Sequence, residues 1–122
     1  MKPRTRSSNP DCVFCDVKKI TSSVDVVYAD NFSTAVMVFE PLAPVTPGHL
    51  LVAPVEHVPC MGYDSRIDRA VMQVAGSLVY DNENCNVITS KGTAATQTIF
   101  HFHVHVVPRE TNDGLKLPWS LE

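Results

Sequence analysis

Residues Thr98–Arg109 read TIFHFHVHVVPR, and three of the five histidines in the chain occupy every second position of this stretch. Such alternation is typical of a β-strand, in which successive side chains point to opposite faces. The pattern predicts one long strand that carries His101, His103 and His105 on one face. The opposite face would supply the core with Phe100, Phe102, Val104 and Val106.

Strand geometry limits what the three histidines can do together. Neighbouring members of the row lie about 6.8 Å apart and the outer two about 13 Å apart, whereas zinc–nitrogen bonds are about 2.0–2.1 Å. One metal ion therefore cannot bind all three. A neutral imidazole can instead act as a nucleophile on phosphorus. The strict alternation of three histidines disfavours a row of merely solvated side chains, and the regular Phe and Val interleaving disfavours metal affinity without a biological role.

Hydrophobic periodicity predicts four more strands and one long helix. The helix runs from Ser65 to about Asp81, with apolar residues at i, i+4 and i+7 and a cap at Asp64 or Ser65. The strands fall at residues 24–28, 33–39, 49–54 and 84–90, and a short N-terminal helix or turn precedes them. Short links between strands favour an antiparallel sheet of about five strands with the helix on one face, which is an α+β fold.

The length of 122 residues predicts one domain over residues 11–122, after a disordered basic tail over residues 1–10. A formal charge of −3 argues weakly against a nucleic-acid polymer as partner but leaves a single nucleotide possible. No apolar run approaches the ~20 residues of a membrane helix, and no apolar stretch typical of a secretory signal follows the basic N-terminus. We therefore expect a cytoplasmic protein without a membrane partner.

Cys12 and Cys15 form the pattern CVFC, which is typical of a metal-binding or a redox-active pair. In a reducing compartment such a pair more often binds metal or does redox work than forms a structural disulfide. No βαβ pattern surrounds CVFC, which favours zinc over thioredoxin-like chemistry. A closed tetrahedral site needs two more ligands, and the candidates are His57 and one histidine of the row.

Several segments together resemble the histidine triad (HIT) superfamily. HFHVHVV at residues 101–107 resembles its His-φ-His-φ-His-φ-φ signature, in which φ is a hydrophobic residue. PVTPGHLLVAPVEHV at residues 44–58 is similar to its Pro-Gly-His-x-Leu-Val-x-Pro segment, and TQTIFH at residues 96–101 to its Gly-Gln-[ST]-x-x-His approach. CVFC is similar to the zinc-binding branch of many bacterial members. The resemblance spans about residues 12–109 and implies a HIT-like fold.

The resemblance also implies roles for individual residues. His103 would be the nucleophile that attacks the α-phosphorus of a nucleotide, and His105 and His49 would support it through hydrogen bonds and a phosphate contact. On its own, His49 could equally be a buried, hydrogen-bonded histidine. Gln97 would contact the scissile phosphate or the leaving group, and Thr98 matches a Ser or Thr that assists the leaving group. Backbone N–H groups of the histidine strand could hold phosphate oxygens.

Some positions depart from the family pattern. Thr96 stands where the family usually has glycine, and Ser90 stands where many members have an asparagine that contacts the phosphate or leaving group. Near the position of an Asn or Asp that binds the ribose, this chain has Pro41 and Ala43. Glu40 is the closest carboxylate there and is the candidate for that contact.

By resemblance, the protein is a nucleotide hydrolase or nucleotidyltransferase. It would cleave a nucleoside monophosphate from a phosphoramidate, polyphosphate or similar leaving group through a histidyl–nucleotidyl intermediate. A purine nucleotide substrate, a homodimer and a structural zinc ion are also implied, with the ligands Cys12, Cys15, His57 and His101. Two alternatives stay open: a nucleotide-binding regulatory module with little turnover, and a zinc hydrolase whose metal activates water.

Overall fold

A computed structural model of the protein describes residues 8–19, 21–30 and 33–119. The five strands form one antiparallel sheet in which the fifth strand along the chain lies between the third and the fourth. This is the α+β architecture that the sequence predicts. In chain order the elements are β1 (Val24–Ala29), β2 (Thr34–Phe39), β3 (Leu50–Pro54), α1 (Ser65–Val79), β4 (Cys85–Ile88) and β5 (Val104–Pro108), with short 3₁₀ turns at Val17–Lys19 and Thr93–Ala95.

The helix α1 begins where its capping residue predicts. The Asp64 side chain accepts a hydrogen bond of 3.0 Å from the Arg66 N–H, and this satisfies one of the free donors of the first turn. The buried face of α1 consists of Ile67, Ala70, Val71, Val74 and Ala75. In the ranges that the structure describes, no helix is long and apolar enough to cross a bilayer.

Two hydrophobic clusters lie on opposite faces of the sheet, as alternation along the strands requires. On one face, Val36, Val52 and Val104 pack against α1. On the other face, the N-terminal segment covers the sheet with Phe14 and Val17. The members from the strands on this second face are Met37, Phe39, Leu51 and Ala53. His105 pairs with Leu51 and therefore belongs to the second face, opposite the helix.

The prediction of one long strand through all three histidines is wrong at its N-terminal end. β5 begins only at Val104, because the backbone before it bonds elsewhere: the Phe102 N–H donates to the Val58 carbonyl at 2.7 Å. The Phe100 side chain, which strand alternation assigns to the core, is 46% exposed, whereas Phe102 is 1% exposed. Leaving the strand frees His101 to turn away from the sheet face that carries His105.

The predicted N-terminal tail over residues 1–10 lies mostly outside the described residues. Of its described part, Asn9 takes part in a turn, because its carbonyl accepts a hydrogen bond of 3.0 Å from the Cys12 N–H. The boundary at residue 11 and the single domain over residues 11–122 stay predictions.

Candidate active site and metal-binding cluster

Four side chains from three parts of the chain converge at one point. Cys12 and Cys15 lie in the N-terminal turn, His57 follows β3, and His101 precedes β5. Their ligand atoms all lie within 4.8 Å of one another. The Nδ1 atoms of the two histidines are 3.2 Å apart, and Cys15 Sγ is 3.3 Å from His57 Nδ1. The Sγ atoms of Cys12 and Cys15 are 3.5 and 3.6 Å from His101 Nδ1.

These separations fit a tetrahedral ion with two sulfur and two nitrogen ligands. Zinc–sulfur bonds of about 2.3 Å and zinc–nitrogen bonds of about 2.0–2.1 Å place two nitrogen ligands about 3.3 Å apart and a nitrogen and a sulfur about 3.6 Å apart. The fully buried His101 ring is oriented by a second bond, since its Nε2–H donates to the Pro54 carbonyl at 2.8 Å. This bond leaves the Nδ1 lone pair for the cluster. The four residues could therefore hold a metal ion.

Local hydrogen bonds shape the turn that carries the two cysteines. The Cys15 N–H donates to the Cys12 carbonyl at 3.2 Å, which closes the turn and brings both sulfur atoms to one side. The Asn9 N–H lies 3.3 Å from Cys15 Sγ and donates to it. A donor aimed at sulfur favours the thiolate, which is the form that binds metal.

His103 belongs to a different site from His101, although one residue separates them. Its Nδ1–H donates to the His101 carbonyl at 2.7 Å. Because a carbonyl only accepts, this bond fixes the proton on Nδ1 and leaves the lone pair on Nε2. Burial lowers the pKa of His103, and the bond to the His101 carbonyl opposes that shift. A neutral imidazole with an unprotonated Nε2 is the form that acts as a nucleophile.

His49 and His105 form a hydrogen-bonded pair beside His103. The Val45 N–H donates to His49 Nδ1 at 3.1 Å, so the proton of the neutral His49 ring lies on Nε2. That Nε2–H donates to His105 Nδ1 at 3.0 Å, which in turn places the His105 proton on Nε2. The backbone at Val45 therefore determines the tautomer of His105 through His49.

Burial also keeps this pair neutral. It lowers the pKa of His49, and it is the largest cause of the shift in His105, whose pKa falls to about 4. Positive charge on the neighbouring rings of His103 and His49 lowers the His105 value further. Near neutral pH, His105 therefore offers a neutral Nε2–H donor.

A cavity of about 730 Å³ lies beside His103 and His105. Its remaining polar lining comes from the segment that precedes the histidine row and from Ser90. Its apolar lining comes from the N-terminal turn, the loop after β2, β3 and the segment before the histidine row, and consists of Val13, Phe14, Pro41, Leu42, Ala43, Leu51 and Ile99. A cavity lined by both imidazoles and apolar side chains suits a ligand that joins a phosphate to a flat, weakly polar group.

Gln97 lines this cavity, but backbone groups hold its side-chain amide. The Gly92 N–H donates to Oε1 at 2.9 Å, and Nε2 donates to the carbonyls of Pro59 and Ile99 at 2.8 and 3.0 Å. Both Nε2 donors are therefore engaged, and Gln97 closes the 92–97 loop against the loop that follows His57. A direct contact with phosphate would require the amide to release one of these bonds.

The other predicted substrate-binding residues are divided. Thr98 and Ser90 line the cavity, as does Thr96, whose backbone has a φ of 70°. A positive φ is uncommon for a β-branched residue and common for glycine. Glu40 is exposed and does not line the cavity, although the residue that follows it, Pro41, does. The cavity is therefore lined by His103, His105 and two of the three predicted substrate-binding residues, whereas the buried His49 contacts His105 without lining the cavity.

Sequence reasoning did not single out Phe14 or Thr89. The Phe14 ring lies between the cluster and the cavity, with its centroid 5.0 Å from that of His103. Thr89 Oγ1 donates to the His103 carbonyl at 2.8 Å and so holds the backbone at the start of β5. The position of Phe14 inside CVFC was a usable signal, because a residue between two ligands must lie near them. Thr89 offered no comparable signal.

The chain belongs to the HIT domain family, whose model matches residues 19–112. It is 31% identical over 113 residues to an uncharacterized HIT-like protein of Borreliella burgdorferi, covering 85% of this chain and 79% of that protein. It is 30% identical to adenosine 5'-monophosphoramidase hnt1 of Schizosaccharomyces pombe, covering 88% and 82%. Adenylylsulfatase HINT3 of Arabidopsis thaliana is 29% identical, and the match covers 92% of this chain but only 57% of that protein.

Solved structures confirm the HIT-like fold. SMU.412c from Streptococcus mutans has a TM-score of 0.69 and 28% identity, covering 95% of this chain and 76% of that chain. A histidine triad nucleotide-binding protein from Candida albicans has a TM-score of 0.73 at 23% identity, covering 92% and 85%. By the names of the two relatives hnt1 and HINT3, the family includes hydrolases.

Proposed function

We propose that this protein is a nucleotide hydrolase or nucleotidyltransferase whose nucleophile is Nε2 of His103. The observation that carries the proposal is the fixed tautomer of His103: its Nδ1–H is bonded to the His101 carbonyl, and the ring lines the cavity. The names of the relatives hnt1 and HINT3 support this class of activity. Substrates would be nucleoside phosphoramidates, dinucleoside polyphosphates or related compounds with a nucleoside monophosphate unit.

The reaction proceeds in two displacements at phosphorus. In the first, the Nε2 lone pair forms a bond to the α-phosphorus, and the bond to the leaving group breaks with its electron pair. A leaving amine takes a proton from solvent. The His103 ring then carries positive charge, which the His101 carbonyl stabilises by accepting from Nδ1–H. In the second, water attacks phosphorus, the P–N bond breaks with its electron pair returning to Nε2, and the proton released by the water passes to solvent, so that His103 regains its neutral form.

The His49–His105 pair would stabilise the phosphoryl oxygens. Because His105 Nδ1 accepts from His49, the Nε2–H of His105 is the donor that remains for a ligand. A neutral donor beside a group that gains negative charge acts as a preorganised dipole. The apolar wall with Leu51 and Ile99 would accept the base, which favours a purine because of its larger flat surface.

Hydrolysis of adenosine phosphoramidate by the wild type and by His103→Ala tests this proposal. We expect a loss of at least about 1,000-fold in kcat for the variant, because removal of a nucleophile abolishes the covalent route. An acid quench of the wild type, followed by mass spectrometry, should show one adenylyl group attached to His103. Equal rates in the two proteins would exclude His103 as the nucleophile.

A nucleotide-binding regulatory module with little turnover is the second candidate. Two points favour it: by the family resemblance, Ser90, Thr96 and Ala43 depart from the pattern of the nucleotide site, and the Gln97 amide is held by backbone groups. Calorimetric titration with AMP, set beside a turnover assay over a substrate panel, separates the candidates. Tight binding of AMP without turnover of any substrate would favour the module.

We further propose that the four-residue cluster binds a structural zinc ion. Cys12, Cys15, His57 and His101 supply four protein donors, so a tetrahedral ion would have no position left for an activated water. This supports a structural role over a zinc hydrolase. Elemental analysis should find one zinc per chain, and a chelator should destabilise the protein. Loss of activity with unchanged stability would favour the hydrolase instead.

A homodimer and a cytoplasmic location complete the proposal. The grouping of two cysteines with two histidines at a candidate metal site suits a reducing compartment, where paired cysteines more often bind metal than form disulfides. Analytical ultracentrifugation at micromolar concentration should give twice the chain mass of 13.4 kDa. Fractionation of cells that express the tagged full chain tests the location.

A further inference from the structure

Phe14 occupies the point at which the metal-binding cluster and the cavity meet. It lies between the two cysteines of the cluster in the chain, and only 3% of its surface is exposed. On one side it joins the hydrophobic cluster that includes Phe39 and Leu51. On the other side it lines the cavity that also contains His103.

Ring contacts connect Phe14 to both histidines of interest. The Phe14 and His103 ring centroids are 5.0 Å apart with an interplanar angle of 87°. The Phe14 and His101 centroids are 6.0 Å apart at 78°. Phe39 supports Phe14 from the core at 5.4 Å and 74°. Near-perpendicular pairs at these separations are favourable aromatic contacts, and each restricts the tilt of the rings involved.

His103 is restrained by two different kinds of contact. The bond from Nδ1–H to the His101 carbonyl fixes one nitrogen but still permits the ring to tilt about that bond. Ring packing limits the tilt, with Phe14 at 5.0 Å and His105 at 5.3 Å between centroids. Both restraints lead back to the cluster, because His101 provides the carbonyl and the Cys12–Cys15 turn carries Phe14.

We infer that Phe14 is a positioning residue for the nucleophile, and that the four-residue cluster holds it in place. The inference rests on the proposed role of His103 and goes beyond it, because it gives the cluster a part in the reactivity of the site. With the cluster assembled, the Phe14 ring and the His101 carbonyl jointly direct His103 Nε2. With the cluster open, both restraints are released together although every residue of the cavity remains present.

Matched substitutions of two neighbouring phenylalanines test the inference. Phe14→Leu and Phe39→Leu remove the same group of atoms from the same hydrophobic cluster, but only Phe14 contacts His103. Phe14→Met is a third variant, whose unbranched, flexible side chain can fill the gap in a different way if Phe14→Leu folds poorly. Melting temperatures show which Phe14 variant is destabilised as much as Phe39→Leu, and these two variants are then compared.

The first readout is the imidazole of His103 in the protein without substrate. Long-range ¹H–¹⁵N NMR spectra of wild type should show one set of His103 ring signals in the Nδ1–H form. We expect Phe14→Leu and Phe14→Met to shift or broaden these signals, and Phe39→Leu, which can reach His103 only through Phe14, to change them much less. Because no substrate is present, this readout decides the inference even if the proposed hydrolase activity is absent.

The second readout is turnover of adenosine phosphoramidate. We expect kcat to fall about ten-fold in both Phe14 variants and to stay within two-fold of wild type in Phe39→Leu. Removal of metal from the wild type with a chelator should change the His103 signals as the Phe14 variants do, and zinc should restore them. Unchanged His103 signals in both Phe14 variants, or equal changes in Phe39→Leu, would overturn the inference.

Discussion

The molecule contains two histidine pairs whose rings approach to nearly the same distance with opposite chemistry. Nδ1 of His57 lies 3.2 Å from Nδ1 of His101, and Nε2 of His49 lies 3.0 Å from Nδ1 of His105. In the second pair, one proton lies between the rings and satisfies both nitrogens. In the first pair, the lone pair of His101 faces His57 and two sulfur atoms, an arrangement that suits a cation.

The difference between the pairs arises from backbone groups and not from the histidines. The Pro54 carbonyl takes the Nε2 proton of His101 and turns its lone pair towards the cluster. The Val45 N–H occupies Nδ1 of His49 and leaves its proton for His105. A single acceptor or donor on the far side of each ring thus decides whether a histidine pair suits a metal or a hydrogen bond.

Among changes to the two histidine pairs, removal of one member of the metal-suited pair should have the largest effect. We expect His57→Ala to lose bound zinc and about 4 kcal/mol of unfolding free energy, because loss of a metal is among the most damaging changes to a small domain. Elemental analysis and denaturant unfolding measure both quantities. His49→Ala serves as the control and should retain its metal. A His57→Ala protein with one zinc per chain would contradict the assignment of this ligand.

Removal of one member of the hydrogen-bonded pair should have a smaller effect on stability. In His49→Ala, the Val45 N–H and His105 Nδ1 lose their partner, and one unsatisfied buried group costs about 1–3 kcal/mol. Turnover should fall about 10- to 100-fold, because His105 no longer has a fixed tautomer. Unchanged turnover in this variant would show that the reaction does not depend on the fixed tautomer of His105.

Acid should distinguish the pairs further through His105. Its folded-state pKa of about 4 lies below the ordinary value of 6.5, so the unfolded chain binds more protons between these values. Stability is therefore complete above pH 6.5 and is lost as the pH falls towards 4, by roughly 2 kcal/mol after allowance for partial exposure. Urea unfolding of wild type and His105→Gln over pH 4–7 measures this loss. If His105→Gln loses stability as steeply as the wild type over this pH range, protonation of His105 is not the cause of the loss.

The smallest expected effect concerns the segment that separates the pairs. Phe100→Ala should change the unfolding free energy by less than about 0.5 kcal/mol, because the side chain is half exposed. Phe102→Ala, two positions away and fully buried, should cost about 3–5 kcal/mol. Denaturant unfolding of the two variants checks where strand alternation begins. Similar losses in both would place Phe100 in the core after all.

Much of the fold follows from local patterns in the sequence. Period-2 alternation located the strands, and period-3.6 recurrence with Asp64 as the cap located the start of α1. The start of β5 could not be predicted, because it depends on a bond between Phe102 and Val58 that is distant in the chain. Alternation in the sequence continues through Phe100 although the strand does not, so the pattern alone extends the element too far.

The site was predictable in its residue types but not in its tautomers. Strand spacing showed that the three histidines of the row could not share one ion, and the structure places His101 with Cys12 and Cys15. Which nitrogen of each ring carries the proton depends on backbone groups such as the Pro54 carbonyl. Every residue has a backbone carbonyl, so the sequence does not show which carbonyl lies beside which histidine. Only the folded structure shows it. The contact between Phe14 and His103 likewise joins residues that are distant in the chain, so it could not be predicted from the sequence.

The position of β5 in the sheet affects the order in which the protein can be assembled. β5 lies between β3 and β4 but follows both in the chain, so neither has its full set of partners until residues 104–108 have been synthesised. Cys12 and His101 are likewise separated by 89 residues. Folding on the ribosome is therefore delayed to the end of this region. A nascent chain that stalls before residue 101 would present a thiol pair and unpaired strand edges to the cell.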